Sequence, residues 1–321
     1  MLWGMNFDEA GVIQLLSGIF GSNHRGVDIG IGDDGAVVKT SDRTVITNDV
    51  AVEGTHFQTE WSNAFEIGRK ITAANLADVY AMGGQPQYLV VALTLTGDES
   101  LDWIEELAQG IAHEANSCGA VVVGGDLSKG ENKSISITAV GNVQSPIKRS
   151  GAQVGDGIYL SSLPGWSAAG LAILQSSITS GSELIGDNDF SNHAVSEFSA
   201  PTVDYAEAVA FASSGAHSLT DISDAFVIQA KQMADASKVT FEIDQELITK
   251  NIEFESLKEL ADLLETDVWQ WIFAGGEDHV FLATGKNLNG FRVGTVIEVI
   301  DGQSLTGVEM KKAPDTWRHF Q

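Results

Sequence analysis

From residue 64 to residue 82 apolar side chains return every three or four positions, with Ile67, Ile71, Ala74 and Val79 on one face and Asn63 ahead of them as a cap. That spacing predicts a helix. Residues 101–115 repeat the pattern, while short runs rich in β-branched residues at 44–46, 88–96, 120–123 and 134–140 predict strands. At the start of the chain Phe7, Val12, Leu15, Leu16 and Ile19 recur at helical spacing and predict an amphipathic helix that docks on the body.

Between Asn142 and Asp156 the periodicity stops at Gln144-Ser145-Pro146, a basic pair, Lys148-Arg149, and two glycines. A domain boundary is expected there, dividing the chain into 1–145 and 146–321. The second part predicts a strand at 158–161, helices at 167–175, 203–212 and 225–236, and strands at 239–243, 279–283 and 292–299. Short strands mixed with longer helices argue for an α/β (α+β) protein, and no repeat or heptad array interrupts them.

A chain of 321 residues with 43% hydrophobic side chains can bury a large core. Its 44 acidic against 18 basic residues give a formal charge of −26, which repels nucleic acid and anionic lipid, so neither is expected as a partner. Cys118 is the single cysteine, which excludes an internal disulfide and suits a reducing compartment. Asp8 and Glu9 lie where a signal peptide would be basic, and no apolar run reaches the ~18 residues of a membrane span. A cytoplasmic location is expected.

The chemistry concentrates in acidic, glycine-rich segments. Gly30-Ile31-Gly32-Asp33-Asp34-Gly35 has the form of a dinucleotide fingerprint, but Ala36 to Lys39 continues as a β-like run where that motif needs a helix. Two aspartates facing a polyphosphate repel it directly and attract Mg²⁺, so the loop reads as a metal site or as an acidic Asx turn. Thr47-Asn48-Asp49 ends a predicted strand ahead of Val52-Glu53-Gly54-Thr55-His56-Phe57. Asn75 and Asp78 share a helix face, which is either a solvated face or part of a site. Val121-Val122-Val123-Gly124-Gly125-Asp126 brings bare backbone and an acid to the end of a strand. Asp221-Ile222-Ser223-Asp224 offers two carboxylates before a helix, or simply caps it, and Gly275-Gly276-Glu277-Asp278 is a further acidic turn. With no Walker sequence, these loops suggest a polyphosphate held mainly through divalent cations. The seven histidines form no H-E-x-x-H motif.

Taken in order, these segments, with Gly68-Arg69-Lys70, Asn75-Leu76-Ala77-Asp78, Ala81-Met82-Gly83, Arg149-Ser150-Gly151-Ala152 and Gly155-Asp156, resemble the thiamine-monophosphate kinase family. That family is grouped with aminoimidazole ribonucleotide synthetase and selenophosphate synthetase. The resemblance implies a two-domain aminoimidazole ribonucleotide synthetase-like fold whose N-terminal mixed sheet pairs across a homodimer axis. It implies a cytoplasmic, ATP-dependent phosphorylation of thiamine phosphate with several Mg²⁺ ions and no covalent nucleophile. Residues 1–145 would bind ATP and Mg²⁺ and dimerise, and 146–321 would complete the nucleotide and substrate site. Asp34, Thr47, Asn48, Asp49, Asp78, Asp126, Asp221 and Asp224 would hold Mg²⁺; Gly125, Asp126, Arg149 and Ser223 would bind ATP; His56, Glu277 and Trp317 would face the substrate.

The chain departs from the family's usual residues at Asn48, at Ala225, at His279-Val280 and around Ala200-Pro201-Thr202. Another ATP-using enzyme of the superfamily, or a catalytically silent nucleotide- or Mg²⁺-binding relative, are the alternatives. Cys118 is not placed where the cysteine-dependent sister enzymes need theirs.

Overall fold

A computed structural model describes residues 9–21, 23–180 and 189–310. The chain divides into two compact units, 1–80 with 84–145, and 81–83 with 146–321.

The first unit opens with α1 (Glu9–Phe20), followed by the short strands β1 (Val27–Ile29) and β2 (Val37–Val38), which pair antiparallel around the acidic glycine loop. Next come β3 (Thr44–Val52), α2 (Ala64–Ala81), β4 (Gln85–Leu95), α3 (Leu101–Ser117), β5 (Val121–Lys129) and β6 (Ser134–Asn142). The sheet order is β3-β6-β4-β5; β3 and β6 run antiparallel in unbroken register, and β4 and β5 run parallel. Period-two burial separates the faces of the sheet. Leu89, Val91, Leu93, Ile135, Ile137 and Ala139 are buried, whereas Ile46, Val50 and Val90 on the other face are exposed. The N-terminal helix docks as its spacing predicts, Val12 packing with Leu95 and Ile104; Phe7 lies outside the described residues.

Strand β5 does not stop before its glycines. It runs through Gly124-Gly125-Asp126 because the backbones of β4 and β5 come so close there that a Cβ on Gly125 would lie 1.9 Å from the Val91 carbonyl oxygen. A side chain would have ended the strand where the apolar run ends.

The second unit holds β7 (Gly157–Leu160), α4 (Trp166–Ser180), α5 (Asp189–Ser199), α6 (Tyr205–Ser213), β8 (Ser218–Ile222), α7 (Phe226–Ser237), β9 (Thr240–Ile243), α8 (Gln245–Ile248), α9 (Phe254–Leu263), α10 (Val268–Ala274), β10 (Val280–Gly285), β11 (Phe291–Ile297) and β12 (Leu305–Thr306). Its six-stranded sheet has the order β12-β9-β11-β7-β10-β8, antiparallel except for the β12–β9 pair. Phe226, Met233, Phe241, Leu257, Trp271 and Phe273 fill the core. Strand β8 is a departure from the sequence reading: all five of its residues are buried, so it carries no alternation to detect. Helices α5, α9 and α10 were also not expected. Among the described residues no helix is long and apolar enough to cross a membrane.

Candidate active site

In the first unit the acids sit where β3 meets α2. Thr47 and Asp49 alternate onto the helix side of β3, and the Thr47 hydroxyl donates to Asp78 Oδ2 at 2.5 Å. One turn earlier on α2, Asn75 is fully buried; its Oδ1 accepts the Asp49 N–H at 3.1 Å while its Nδ2 donates to the Ile71 carbonyl at 2.9 Å. Thus Asn75 and Asp78 face the strand and not solvent, and the amide fixes the backbone from which the Asp49 carboxylate projects.

Asn48 lies apart from Thr47 and Asp49. It points to the opposite face of the sheet, where its amide donates to Ser136 Oγ (3.1 Å), the Ile137 carbonyl (2.9 Å) and Thr138 Oγ1 (2.9 Å). Strand alternation separates it from Thr47 and Asp49, so its side chain is not grouped with theirs.

Asp126 is also separated from Asp49. It stands in register with Ala92, Ser136 and Val50, on the face that Asn48 shares. From edge strand β5 to edge strand β3 is three strand spacings, about 14 Å. Asp33 and Asp34 are exposed on the β1–β2 loop, the Asp34 N–H bound to Asp33 Oδ1 at 2.9 Å. His56 lies in the turn after β3, its Nδ1 accepting the Val52 N–H at 3.2 Å, so the neutral ring carries its proton on Nε2. Nearby Glu53 is clasped by Lys133 Nζ at 2.9 and 3.0 Å, which ties the end of β3 to the start of β6.

In the second unit the register of β8 with β10, Ile222 opposite Val280 and Asp221 opposite Phe281, sets two turns side by side. Residues 221–224 leave β8 and residues 275–279 enter β10. Glu277 N–H donates to the Ser223 carbonyl (2.7 Å) and His279 N–H to the Ile222 carbonyl (3.1 Å). A Cβ on Gly276 would lie 2.3 Å from the Asp224 carbonyl oxygen, so only glycine allows this approach. Buried Asp221 accepts a 3.0 Å bond at Oδ2 from His279 Nδ1. Buried Gln229 binds the Ala225 N–H through Oε1 and reaches Ser223 Oγ (3.3 Å) and Asp224 Oδ2 (3.5 Å) through Nε2.

Asp278 serves the scaffold. Its carboxyl accepts the Gly165 and Ser167 N–H groups, both at 2.9 Å, at the start of α4. Burial pushes its pKa up to about 6, against the downward pull of those two bonds. Arg149 is exposed beside β8, donating from Nε to Thr220 Oγ1 (3.2 Å) and from Nη1 to Gln232 Oε1 (3.2 Å), one residue from Asp221. Trp317 lies outside the described residues.

The donors fit a hard divalent cation, since Thr47, Asp49, Asp78, Asp221 and Asp224 present oxygen and no sulfur. Among the described residues no three His, Cys, Asp or Glu side chains converge on one point. The set suits Mg²⁺, which binds one or two carboxylates and completes its shell with water and substrate phosphates. Sequence reasoning missed Gln229 and the pairing of His279 with Asp221, because both depend on the register of β8 and on a turn closing over it.

The model for AIR synthase related protein, N-terminal domain, matches residues 32–143, and that for the C-terminal domain matches residues 153–287. Thiamine-monophosphate kinase of Corynebacterium glutamicum is 33% identical over 303 residues, 90% of this chain and 88% of that protein. Thiamine-monophosphate kinase of Stenotrophomonas maltophilia K279a, a crystal structure, superposes with a TM-score of 0.77 at 26% identity, covering 94% of this chain and 95% of its own. A structure of AaThiL complexed with AMPPCP and TMP gives a TM-score of 0.78 at 28% identity, covering 99% of this chain and 100% of its own. Matched by both domain models and by relatives across most of its length, the protein belongs to the thiamine-monophosphate kinases of the AIR synthase related family.

Proposed function

We infer that the chain transfers the γ-phosphoryl group of ATP to thiamine phosphate, giving thiamine diphosphate and ADP. The observation that carries this reading is the pair of oxygen-rich carboxylate sites, Thr47-Asp49-Asp78 and Asp221-Asp224, in a chain 33% identical over most of its length to a thiamine-monophosphate kinase. A phosphate oxygen of the acceptor attacks the γ-phosphorus in line as the bond to the β-γ bridging oxygen breaks and ADP leaves. That oxygen is already largely ionised near pH 7, the second pKa of a phosphate monoester being about 6, so no protein base is needed. No side chain becomes covalently attached.

In the first unit Asp34, Thr47, Asp49 and Asp78 and, on the other face of the sheet, Asn48 and Asp126 would hold Mg²⁺, and in the second Asp221 and Asp224 would do so. When bound, the cations neutralise charge on the phosphate oxygens, which is the main demand of phosphoryl transfer. Arg149 suits ATP phosphate because its guanidinium can bind two oxygens at once; Gly125 and Ser223 are assigned to ATP, and His56 and Glu277 to thiamine phosphate. The open face of the β3-β6-β4-β5 sheet supports a homodimer, since Ile46 is 66% exposed and Val50 48% exposed on it. Sedimentation should give twice the chain mass, and Ile46→Lys should halve it.

The deciding assay follows thiamine diphosphate by chromatography after the purified chain meets MgATP with and without thiamine phosphate. Product formed only with both substrates is expected. ATP binding without product would mark a silent relative, and turnover with a different acceptor alone would mark a sister enzyme.

A further inference from the structure

Asp221 is the most enclosed of the acids assigned to Mg²⁺, 2% exposed, and within the described residues its side chain has one partner, the His279 ring. The ring is enclosed as well, at 6%. An ionised carboxylate can only accept, so His279 Nδ1 carries the proton and donates it to Oδ2 across 3.0 Å. The other oxygen, Oδ1, is left without a protein donor among the described residues.

The backbone is unusual at the same place. His279 has φ of 51° and Glu277 of 64°, left-handed values that side-chain-bearing residues seldom adopt. The turn is held there by the Glu277 N–H and His279 N–H bonds to the Ser223 and Ile222 carbonyls. Those two bonds lock the turn to the end of β8, and from that left-handed position residue 279 also brings its ring to Asp221. Strain kept at one residue while its side chain reaches a buried carboxylate points to a use for that side chain.

We propose that His279 is a positioning residue: it binds one carboxylate oxygen of Asp221, fixes the rotation of the carboxyl group and leaves the second oxygen to face a divalent cation. The inference rests on the proposed kinase reading of this site. Partners of metal-binding carboxylates in other proteins act in this way, and losing one weakens metal affinity by roughly 10–100-fold.

The test uses the full chain and titrates Mg²⁺ calorimetrically in the presence of AMPPCP, with thermal unfolding measured without Mg²⁺. Wild type is compared with His279→Ala, His279→Asn and His279→Gln. An Asn amide nitrogen can take the place of Nδ1, whereas a Gln amide reaches the place of Nε2. We expect His279→Ala and His279→Gln to bind Mg²⁺ about tenfold more weakly, and His279→Asn to stay within threefold of wild type. A role confined to packing would give affinities that follow side-chain volume or melting temperature, with Gln, the closer match in size, no worse than Asn; that result overturns the proposal. Binding by His279→Ala within twofold of wild type also overturns it, and if that variant does not fold, the Asn and Gln pair decides alone. A wild-type chain that binds no Mg²⁺ with AMPPCP overturns the kinase reading together with this one, which separates the two failures.

Discussion

The two carboxylate sites of this chain are built by different means. In the first unit Asp49 and Asp78 project from a strand and a neighbouring helix that bond to each other: Asn75 takes the Asp49 N–H, and Asp78 takes the Thr47 hydroxyl. In the second unit Asp221 lies near the end of strand β8 and Asp224 on the turn that follows it, and both are held by a second turn with two left-handed residues and by the buried side chains of His279 and Gln229. A strand and a helix need few extra bonds because their own ladders fix the backbone. Past Ile222 the ladder of β8 ends, so close approach at Gly276 and a layer of polar side chains replace it there.

The largest test of this contrast removes the charge from each site. Asp49→Asn and Asp221→Asn should each lower turnover by about 100-fold or more with melting temperature nearly unchanged; a rate within fivefold of wild type in either would remove that residue from the machinery. Next in size, Gly276→Ala forces a Cβ against the Asp224 carbonyl and should cost about 2 kcal/mol in denaturant unfolding while raising the KM for ATP. An unchanged midpoint would mean the two turns are looser than described.

On the other side of the contrast, Asn75→Ala leaves the Asp49 N–H without its acceptor and should destabilise by about 1–2 kcal/mol. If kcat falls while the Mg²⁺ dependence stays constant, the amide does not aim the carboxylate.

The smallest effect is a pH dependence in the scaffold of the first unit. Burial raises the pKa of Glu99, but hydrogen bonds from Thr96 and Gly97 outweigh it and hold the carboxyl below its ordinary value of 4.5. A depressed carboxyl stabilises the fold above its unfolded pKa, and that contribution disappears as pH falls through the lower folded value. The stability gap between wild type and Glu99→Gln should therefore be constant from pH 7 to about 5 and close at lower pH. A gap that persists at pH 3 would assign the effect to packing.

Much of this architecture was legible in the chain. The apolar spacing of 64–82 marks α2, whose observed span is Ala64–Ala81, because its less buried positions, Phe65, Glu66, Arg69, Lys70, Ala74 and Asp78, recur at helical spacing. Strand β8 was invisible for the opposite reason: with both faces buried, Ser218 to Ile222 shows no alternation. Helix α10 was hidden by its bulky aromatic residues, Trp269, Trp271 and Phe273, which resemble a strand until their packing is known. Among the site residues, the order of acidic turns was enough to name the family, since motif order survives without coordinates.

Sequence alone thus determined the composition of the acidic turns: oxygen donors, glycines where backbones must touch, and a strong negative charge. Tertiary structure decided which of those oxygens share a face. Alternation along β3 turns Asn48 away from Thr47 and Asp49, and strand order puts Asp126 on the far edge from Asp49. It also decided that His279 meets Asp221, fifty-eight positions earlier in the chain. Local sequence carries the preference of each residue for its own backbone, whereas register and strand order come from the packing of distant segments, and only they bring one side chain to another.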